Sequence, residues 1–117
     1  ILLLDYEVNA PTDLEPTLAL TLTWQALAPL PHDYTVFLHI LRDGDERIAQ
    51  RDSQPCNGAC PTSTWPPGEI VVDRHQLTLP AEAPPGPFRV GLGLYLLDSG
   101  QRAAVASGGD TVILDAR

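Results

Sequence analysis

The chain has no lysine and no methionine, and its 7 basic residues, all arginine, are outnumbered by 15 acidic ones. The formal net charge of -8 repels a phosphate backbone, which argues against nucleic acid as a partner. Anionic lipid is disfavoured for the same reason. Apolar runs are also short, and none approaches the ~20 residues that a membrane-spanning helix requires. We therefore expect no nucleic-acid partner and no direct insertion into a membrane.

The sequence also lacks the ligand clusters of common metal sites. Cys56 and Cys60 are the only cysteines, whereas a structural zinc site needs four ligands. The acidic segment at residues 43–46 (DGDE) does not follow the spacing of a calcium-binding EF-hand loop. A solvated hairpin turn is the favoured interpretation of that segment. We expect no metal and no cofactor.

No motif for nucleophilic catalysis is present. There is no Gly-x-Ser-x-Gly elbow, and the histidines (His32, His39 and His75) lie in a loop and two separate strand patterns. A hydrolase built from Ser53 or Ser63 with one of these histidines remains an alternative, because such groups assemble in space. The sequence assigns no catalytic residue, and we expect this domain not to be an enzyme.

Length and proline content indicate one β-rich domain. The 117 residues suffice for a single hydrophobic core. The 12 prolines and 9 glycines are spread between short apolar runs, which is typical of many strands with tight connections. The chain begins on Ile1 without a basic segment or a signal cleavage site and enters a strand pattern at once. We expect residues 1–117 to be one domain excised from a longer protein.

Alternation of apolar and polar residues predicts the strands. The predicted segments are residues 2–8, 17–26, 33–42, 47–52, 69–79, 88–96, 102–106 and 111–115. In the first segment, Leu2, Leu4, Tyr6 and Val8 are expected to point inward. The third segment has apolar residues on both faces and is expected to be central. The fourth is polar and is expected to lie near an edge. In the fifth segment, the apolar residues switch from one face of the strand to the other, which predicts a bulge near residues 73–75.

These segments predict an all-β, immunoglobulin-like sandwich of seven to eight antiparallel strands, with a barrel or jelly roll as the structural alternative. Turns are expected at residues 43–45, 84–86 and 108–110. The residues predicted to share one core are Leu22, Trp24, Val36, Leu38, Val90 and Leu92.

The two cysteines flank Asn57-Gly58-Ala59, a tripeptide that favours a chain reversal. Such a reversal brings two Cβ atoms within disulfide range, and we favour a Cys56–Cys60 disulfide over two free thiols. A ring this short stiffens a loop and constrains little of the unfolded chain. Disulfides persist in oxidising compartments, so the pair predicts an extracytoplasmic location.

The loop at residues 62–68 is bounded by prolines and contains Trp65. An aromatic ring exposed on a rigid loop suits sugar binding, because pyranose C–H faces stack on it while nearby polar groups bind the hydroxyls. The favoured interpretation of Trp65 is nevertheless a tryptophan folded back over one end of the sandwich. Under the first hypothesis, the candidate ligand-binding residues are Trp65, Gln50, Asp52, Gln54, Asp73 and Arg74.

Seven segments together resemble a known family: residues 22–26 (LTWQA), 33–39 (DYTVFLH), 50–52 (QRD), 61–69 (PTSTWPPGE), 73–74 (DR), 85–90 (PGPFRV) and 93–95 (GLY). They resemble the β-sandwich domain appended to bacterial multi-spanning membrane glycosyltransferases of the dolichyl-phosphate-mannose mannosyltransferase type. The resemblance runs from Leu2 to about Leu114. It implies an extracytoplasmic domain beyond the last membrane span, with catalysis elsewhere. The cysteine pair departs from the family pattern.

The expected function is therefore that of a non-catalytic accessory domain in a cell-envelope glycosyltransferase-like protein. The expected partners are glycan, lipid-linked sugar, or the membrane portion of its own chain. The alternative is a structural or protein-docking domain without a ligand site.

Overall fold

The computed structural model describes residues 1–9, 11, 16–42, 46–82, 87–105, 109 and 111–115. Two short 3₁₀ turns, Pro55–Gly58 and Thr62–Thr64, lie in the connection between the fourth and fifth of its seven strands. The strands are β1 (Leu2–Asn9), β2 (Thr17–Gln25), β3 (Thr35–Leu41), β4 (Arg47–Ser53), β5 (Ile70–Thr78), β6 (Arg89–Tyr95) and β7 (Val112–Asp115). The described part of the chain contains no helix long and apolar enough to cross a membrane.

The strands form two antiparallel sheets. One has three strands in the order β1-β2-β5, and the other has four in the order β4-β3-β6-β7. In an immunoglobulin-like sandwich, the first, second and fifth strands lie in one sheet and the third, sixth and seventh lie in the other, as they do here. Here β4 continues the hairpin from β3 and stays in the four-stranded sheet, whereas the antibody constant domain places its fourth strand beside the fifth. The predicted all-β sandwich is confirmed.

Inward-facing residues of both sheets form one core. β2 alternates buried and half-buried positions along its whole length, and the inward positions of β3 and β6 are buried opposite it. The six residues predicted to share a core all belong to this cluster: Leu22, Trp24, Val36, Leu38, Val90 and Leu92. β3 is central and covered on both faces, and β4 is an edge strand, as the sequence predicts.

The predicted bulge in the fifth strand is wrong. β5 pairs with β2 from Ile70 to Thr78 without a register shift. Its inward positions include Asp73 and His75, both buried, while Ile70 and Val72 point outward and are 57% and 44% exposed. The apolar residues of this strand therefore change from one face to the other because two polar residues occupy core positions. The backbone itself stays regular.

Two further expectations about strands fail. In β1 the register shifts between Leu3 and Asp5, and Leu4 and Tyr6 are exposed although they were expected to point inward. An edge strand has a neighbour on one side only, so fewer side chains cover its inward positions. Residues 102–105 form no continuous strand, since Arg102 makes only an isolated bridge to Tyr95. The turns predicted at residues 43–45, 84–86 and around 108 and 110 lie outside the described residues.

Candidate functional site

The outer face of the four-stranded sheet carries an unusual set of side chains. Alternation along β3 sends Val36, Leu38 and Ile40 into the core, so Phe37 and His39 project from the opposite face. Phe37 is nevertheless only 4% exposed. An aromatic ring on an outer sheet face is covered to that extent only when neighbouring side chains pack over it, which indicates a second side-chain cluster outside the core.

The register of β3 with its neighbours builds this cluster. On one side, Asp52 lies opposite Phe37 and Gln50 lies opposite His39. On the other side, the opposing residues of β6 are both glycine, at positions 91 and 93. Both glycines are buried, and the side chains of Leu41 and Ile113 occupy the space above Gly91, so the concave surface is lined from the β4 side and from Tyr95 at the end of β6.

We call this surface the sheet-face groove, and it has a volume of about 340 Å³. Its lining residues are Phe37, His39, Arg47, Gln50, Asp52, Tyr95, Gly100 and Arg102. Of the six predicted ligand-binding residues, it contains Gln50 and Asp52. Its residues come from two separate stretches of the chain, residues 37–52 and residues 95–102, so no single local motif marks it.

Asp52 is the most strongly organised acceptor in the groove. The Tyr95 hydroxyl donates to Asp52 Oδ2 across 2.7 Å, and Gln50 Nε2 donates to Oδ1 across 3.0 Å. The hydrogen bond to the carboxylate raises the pKa of Tyr95 above its ordinary value, because it favours the protonated phenol. Each oxygen of Asp52 keeps a lone pair for a ligand hydroxyl, and the side chain is solvent-exposed.

Positive charge enters the groove from two arginines. The Arg102 guanidinium lies over the Phe37 ring, 4.8 Å from its centroid, and its Nη1 donates to Thr111 Oγ1 across 3.0 Å. Arg47 lies further along the β4 edge. Partial burial, followed by the charge of Arg47, lowers the pKa of His39 below its ordinary value. Both effects favour the neutral form of the His39 ring.

Trp65, the centre of the predicted site, does not present its ring to solvent. It is 4% exposed, belongs to the core cluster, and donates from Nε1 to the Cys60 carbonyl across 3.0 Å. Thr62 fixes this orientation: its buried hydroxyl donates to the His32 carbonyl and accepts from the Tyr34 amide. The loop is thereby held against a neighbouring segment. The favoured interpretation, a tryptophan folded back over the sandwich, is confirmed, and the hypothesis of an exposed stacking ring is wrong.

The other predicted site residues are scattered. Gln54 is half-buried just before the first 3₁₀ turn, Arg74 is exposed on the outer face of β5, and Asp73 is enclosed in the core. None of the three lines the sheet-face groove. The structure therefore separates Gln50 and Asp52 from the remaining candidates.

Asp73 is the centre of a buried hydrogen-bond network. Its Oδ2 accepts from Trp24 Nε1 at 3.2 Å and pairs with His75 Nε2 at 2.6 Å, while Oδ1 accepts from the Cys56 amide at 2.8 Å. Ser53 Oγ lies 3.3 Å from His75 Nδ1. A buried carboxylate requires such partners, because an unpaired charge in a core is strongly unfavourable.

Ser53, His75 and Asp73 thus form a chain with the composition of a hydrolase triad. Catalysis would require substrate to reach both the nucleophile and the base. The side chains of Asp73 and His75 have no exposed surface, and both ring nitrogens of His75 already have partners within the protein. The arrangement satisfies buried polar atoms and offers no access for a substrate carbonyl.

The loop after β4 is closed by a covalent bond between Cys56 and Cys60, whose Cα atoms are 5.4 Å apart. Cys56 and Asn57 both adopt positive φ angles, 56° and 54°, which are unfavourable for residues with a Cβ atom. Arg51 supports the loop by donating to Asn57 Oδ1 at 3.0 Å. Together with the hydrogen bond from the Cys56 amide to Asp73, these contacts attach the loop to the core network.

Sequence reasoning missed the other six groove residues: Phe37, His39, Arg47, Tyr95, Gly100 and Arg102. One signal for the first two was present, because the double apolar parity of the third strand predicts that its outer face is covered. Across the described ranges, no group of three or more His, Cys, Asp or Glu side chains is placed to hold a metal ion. Comparison with known proteins gave no match to a family model, to a curated protein or to a solved structure.

Proposed function

We propose that this domain is a non-catalytic accessory module of a cell-envelope glycosyltransferase-like protein, and that it contacts glycan or lipid-linked sugar through the sheet-face groove. The observation that carries the proposal is the organised acceptor Asp52, held by Tyr95 and Gln50 in a concave, solvent-accessible surface. Binding sites of small polar ligands combine a concave surface with a few well-placed polar groups.

The chemistry of the groove suits a polyhydroxylated ligand. A carboxylate and a side-chain amide in adjacent positions can accept and donate to neighbouring hydroxyl groups of one sugar ring. Asp52 is oriented before a ligand arrives, so little side-chain entropy is lost when a hydroxyl binds to it. These contacts require no reaction, which agrees with an accessory role.

The proposed location is the extracytoplasmic side of the cell envelope, tethered through a parent membrane protein. The bond between Cys56 and Cys60 supports it, because disulfides persist in oxidising compartments and are rare in the cytosol. The resemblance to domains appended to membrane glycosyltransferases supports it independently. The acidic charge of the chain argues against adsorption to anionic lipid.

Amide chemical-shift titration with glucose, mannose and short neutral glycans tests the binding proposal. We expect weak affinity, near millimolar or about -4 kcal/mol, with the largest shifts at Gln50, Asp52 and Tyr95. Gln50→Ala should weaken binding by about tenfold, or ~1.4 kcal/mol, through loss of one hydrogen-bonding side chain. Gln76→Ala is the matched control, since Gln76 is an exposed glutamine on the other sheet. Shifts spread over the whole surface, or equal effects of the two variants, would contradict the proposal.

A structural or docking role is the second candidate. The observation that favours it is the outward pair Ile70 and Val72, which expose apolar side chains on the outer face of β5. Such a surface suits contact with the membrane portion of the same chain or with another protein. Ile70→Ser together with Val72→Ser would disturb assembly of the parent protein under this hypothesis and leave sugar titrations unchanged.

A further inference from the structure

The disulfide loop, residues 55–60, presents an asparagine–glycine pair to solvent. Asn57 and Gly58 are both exposed, and a Cβ atom added at Gly58 would meet no atom within 4 Å. A backbone nitrogen that follows asparagine can attack the asparagine side-chain amide, and glycine hinders this attack least because it has no Cβ. Asn9, the only other asparagine, is followed by alanine. The pair is therefore open to chemical modification, at a place outside the sheet-face groove.

The backbone of Asn57 keeps the two reacting atoms apart. Its φ is 54° and its ψ is 36°. At this ψ, the tetrahedral geometry of Cα places the Gly58 nitrogen roughly trans to the Asn57 Cβ, so the nitrogen points away from Cγ. Attack requires ψ to rotate until the nitrogen and Cβ lie on the same side of the Cα–C bond. The modification therefore requires the loop to leave the conformation seen here.

A closed ring opposes this rotation. The Cys56–Cys60 bond joins the two ends of the segment that contains Asn57. Inside the ring, the Ala59 amide donates to the Cys56 carbonyl across 3.1 Å. The Cys60 amide donates to the Pro55 carbonyl across 3.3 Å. Cys56 and Asn57 both have positive φ angles, which are unfavourable for residues with a Cβ atom. Once the covalent bond is broken, both residues are therefore free to relax toward negative φ.

Arg51 stands ready to receive the product. Its Nη2 donates to Asn57 Oδ1 across 3.0 Å, and its Nη1 donates to the Gln76 carbonyl across 3.0 Å. If the amide becomes a carboxylate, the same guanidinium faces an anion in place of a neutral oxygen. Hydrogen bonds between charged groups are stronger than those between neutral groups. The loop therefore accommodates an aspartate at position 57 with an ion pair.

We propose that Asn57 is a deamidation site and that the Cys56–Cys60 disulfide controls its reaction. A dithiol first reduces the bond: the S–S bond breaks, two thiols form, and the dithiol becomes a disulfide. The Gly58 nitrogen then loses its proton to the solvent and attacks Asn57 Cγ. The Cγ–Nδ2 bond breaks, ammonia leaves, and a succinimide remains. Water opens the succinimide at Cγ to give aspartate, or at the backbone carbonyl carbon to give isoaspartate.

Incubation of the oxidised and the dithiothreitol-reduced domain at mildly alkaline pH tests the proposal. Peptide mass spectrometry measures the conversion of Asn57 and of Asn9 over time. We expect Asn57 to convert about tenfold or more faster in the reduced domain, because opening the loop no longer requires a closed ring to deform. Asn9 should stay unmodified in both samples over the same period. Hydrogen exchange of the β2 and β3 amides checks that the two sheets remain folded after reduction.

Variants separate the covalent bond from the backbone conformation. Cys56→Ala together with Cys60→Ala should convert Asn57 at the rate of the reduced domain without any reductant. Cys56→Gly together with Cys60→Ala should convert it at an intermediate rate, since glycine adopts a positive φ without penalty and keeps the loop closed for longer. Asn57→Gln is the matched control. It retains a side-chain amide, but the longer side chain disfavours the five-membered ring, so position 57 should stay unmodified.

Each remaining outcome overturns the proposal. Equal rates in the oxidised and reduced domain refute control by the disulfide. No conversion of Asn57 in either the reduced domain or the double alanine variant refutes the site itself. Conversion of Asn9 as fast as Asn57 refutes selection by Gly58. Loss of amide protection throughout β2 and β3 on reduction refutes local opening, because the whole domain then unfolds.

Discussion

Replacing Asp73 by alanine should destabilise the domain more than any other single carboxylate change that the described structure allows. The variant removes the acceptor for three donors, the Trp24 indole, the His75 imidazole and the Cys56 amide. The first two are buried, and each unsatisfied buried group costs about 1–3 kcal/mol. Two such groups together account for a loss of about 2–6 kcal/mol. We expect a loss of about 3–5 kcal/mol in the free energy of unfolding, because water entering the vacated space satisfies part of the deficit.

Urea unfolding followed by tryptophan fluorescence measures this loss, since both tryptophans are buried in the folded state. Asp52→Ala is the matched control. Asp52 also accepts from two side chains, Tyr95 and Gln50, but it is exposed to water. Its removal should therefore cost less than about 1 kcal/mol. An Asp73→Ala variant within 1 kcal/mol of the parent, or two variants of equal stability, would refute the argument that burial decides the cost.

Two further predictions concern the disulfide loop and the groove histidine. Replacing both Cys56 and Cys60 by alanine should lower the free energy of unfolding by only about 1 kcal/mol, because the ring is short. Glycine in place of alanine at position 56 should recover about 1 kcal/mol, since φ there is 56°. A loss above 3 kcal/mol on urea unfolding would contradict this prediction. By NMR titration, the pKa of His39 should lie below 6.5. Arg47→Gln should raise this pKa and Asp52→Asn should lower it further. Shifts of the opposite sign would contradict the assigned effects of the Arg47 and Asp52 charges. Because the folded state then binds a proton more weakly than the unfolded state, His39 should make the domain less stable as pH falls below about 6.5.

The strength of the sequence pattern decided which parts of the fold could be predicted. β2 alternates without exception, so its buried face, including Leu22 and Trp24, was predictable from the residues alone. β5 was not, because Asp73 and His75 break the apolar parity at two inward positions. What makes those positions tolerable is the indole of Trp24, 49 residues away in sequence. No local rule contains that contact, and a bulge was the nearest local explanation.

Trp65 illustrates the same limit for a loop. Its flanking prolines correctly indicate a stiff segment, but stiffness does not determine the direction in which the ring points. That direction is set by Thr62, whose hydroxyl bonds to the His32 carbonyl, 30 residues away, and to the Tyr34 amide, 28 residues away. An exposed and a buried tryptophan are therefore equally compatible with the local sequence, and only the tertiary contacts distinguish them.

The two organised carboxylates of this domain show why composition alone could not separate a functional residue from a structural one. Asp73 and Asp52 each accept hydrogen bonds on both oxygens, and each was a candidate ligand-binding residue. Asp73 has no exposed surface, so its acceptor capacity serves the core. Asp52 lies on an edge strand beside a groove, and its remaining lone pairs face solvent. Of these two carboxylates, only Asp52 can accept further hydrogen bonds from a ligand. The proposed ligand binding therefore depends on Asp52 at the β4 edge.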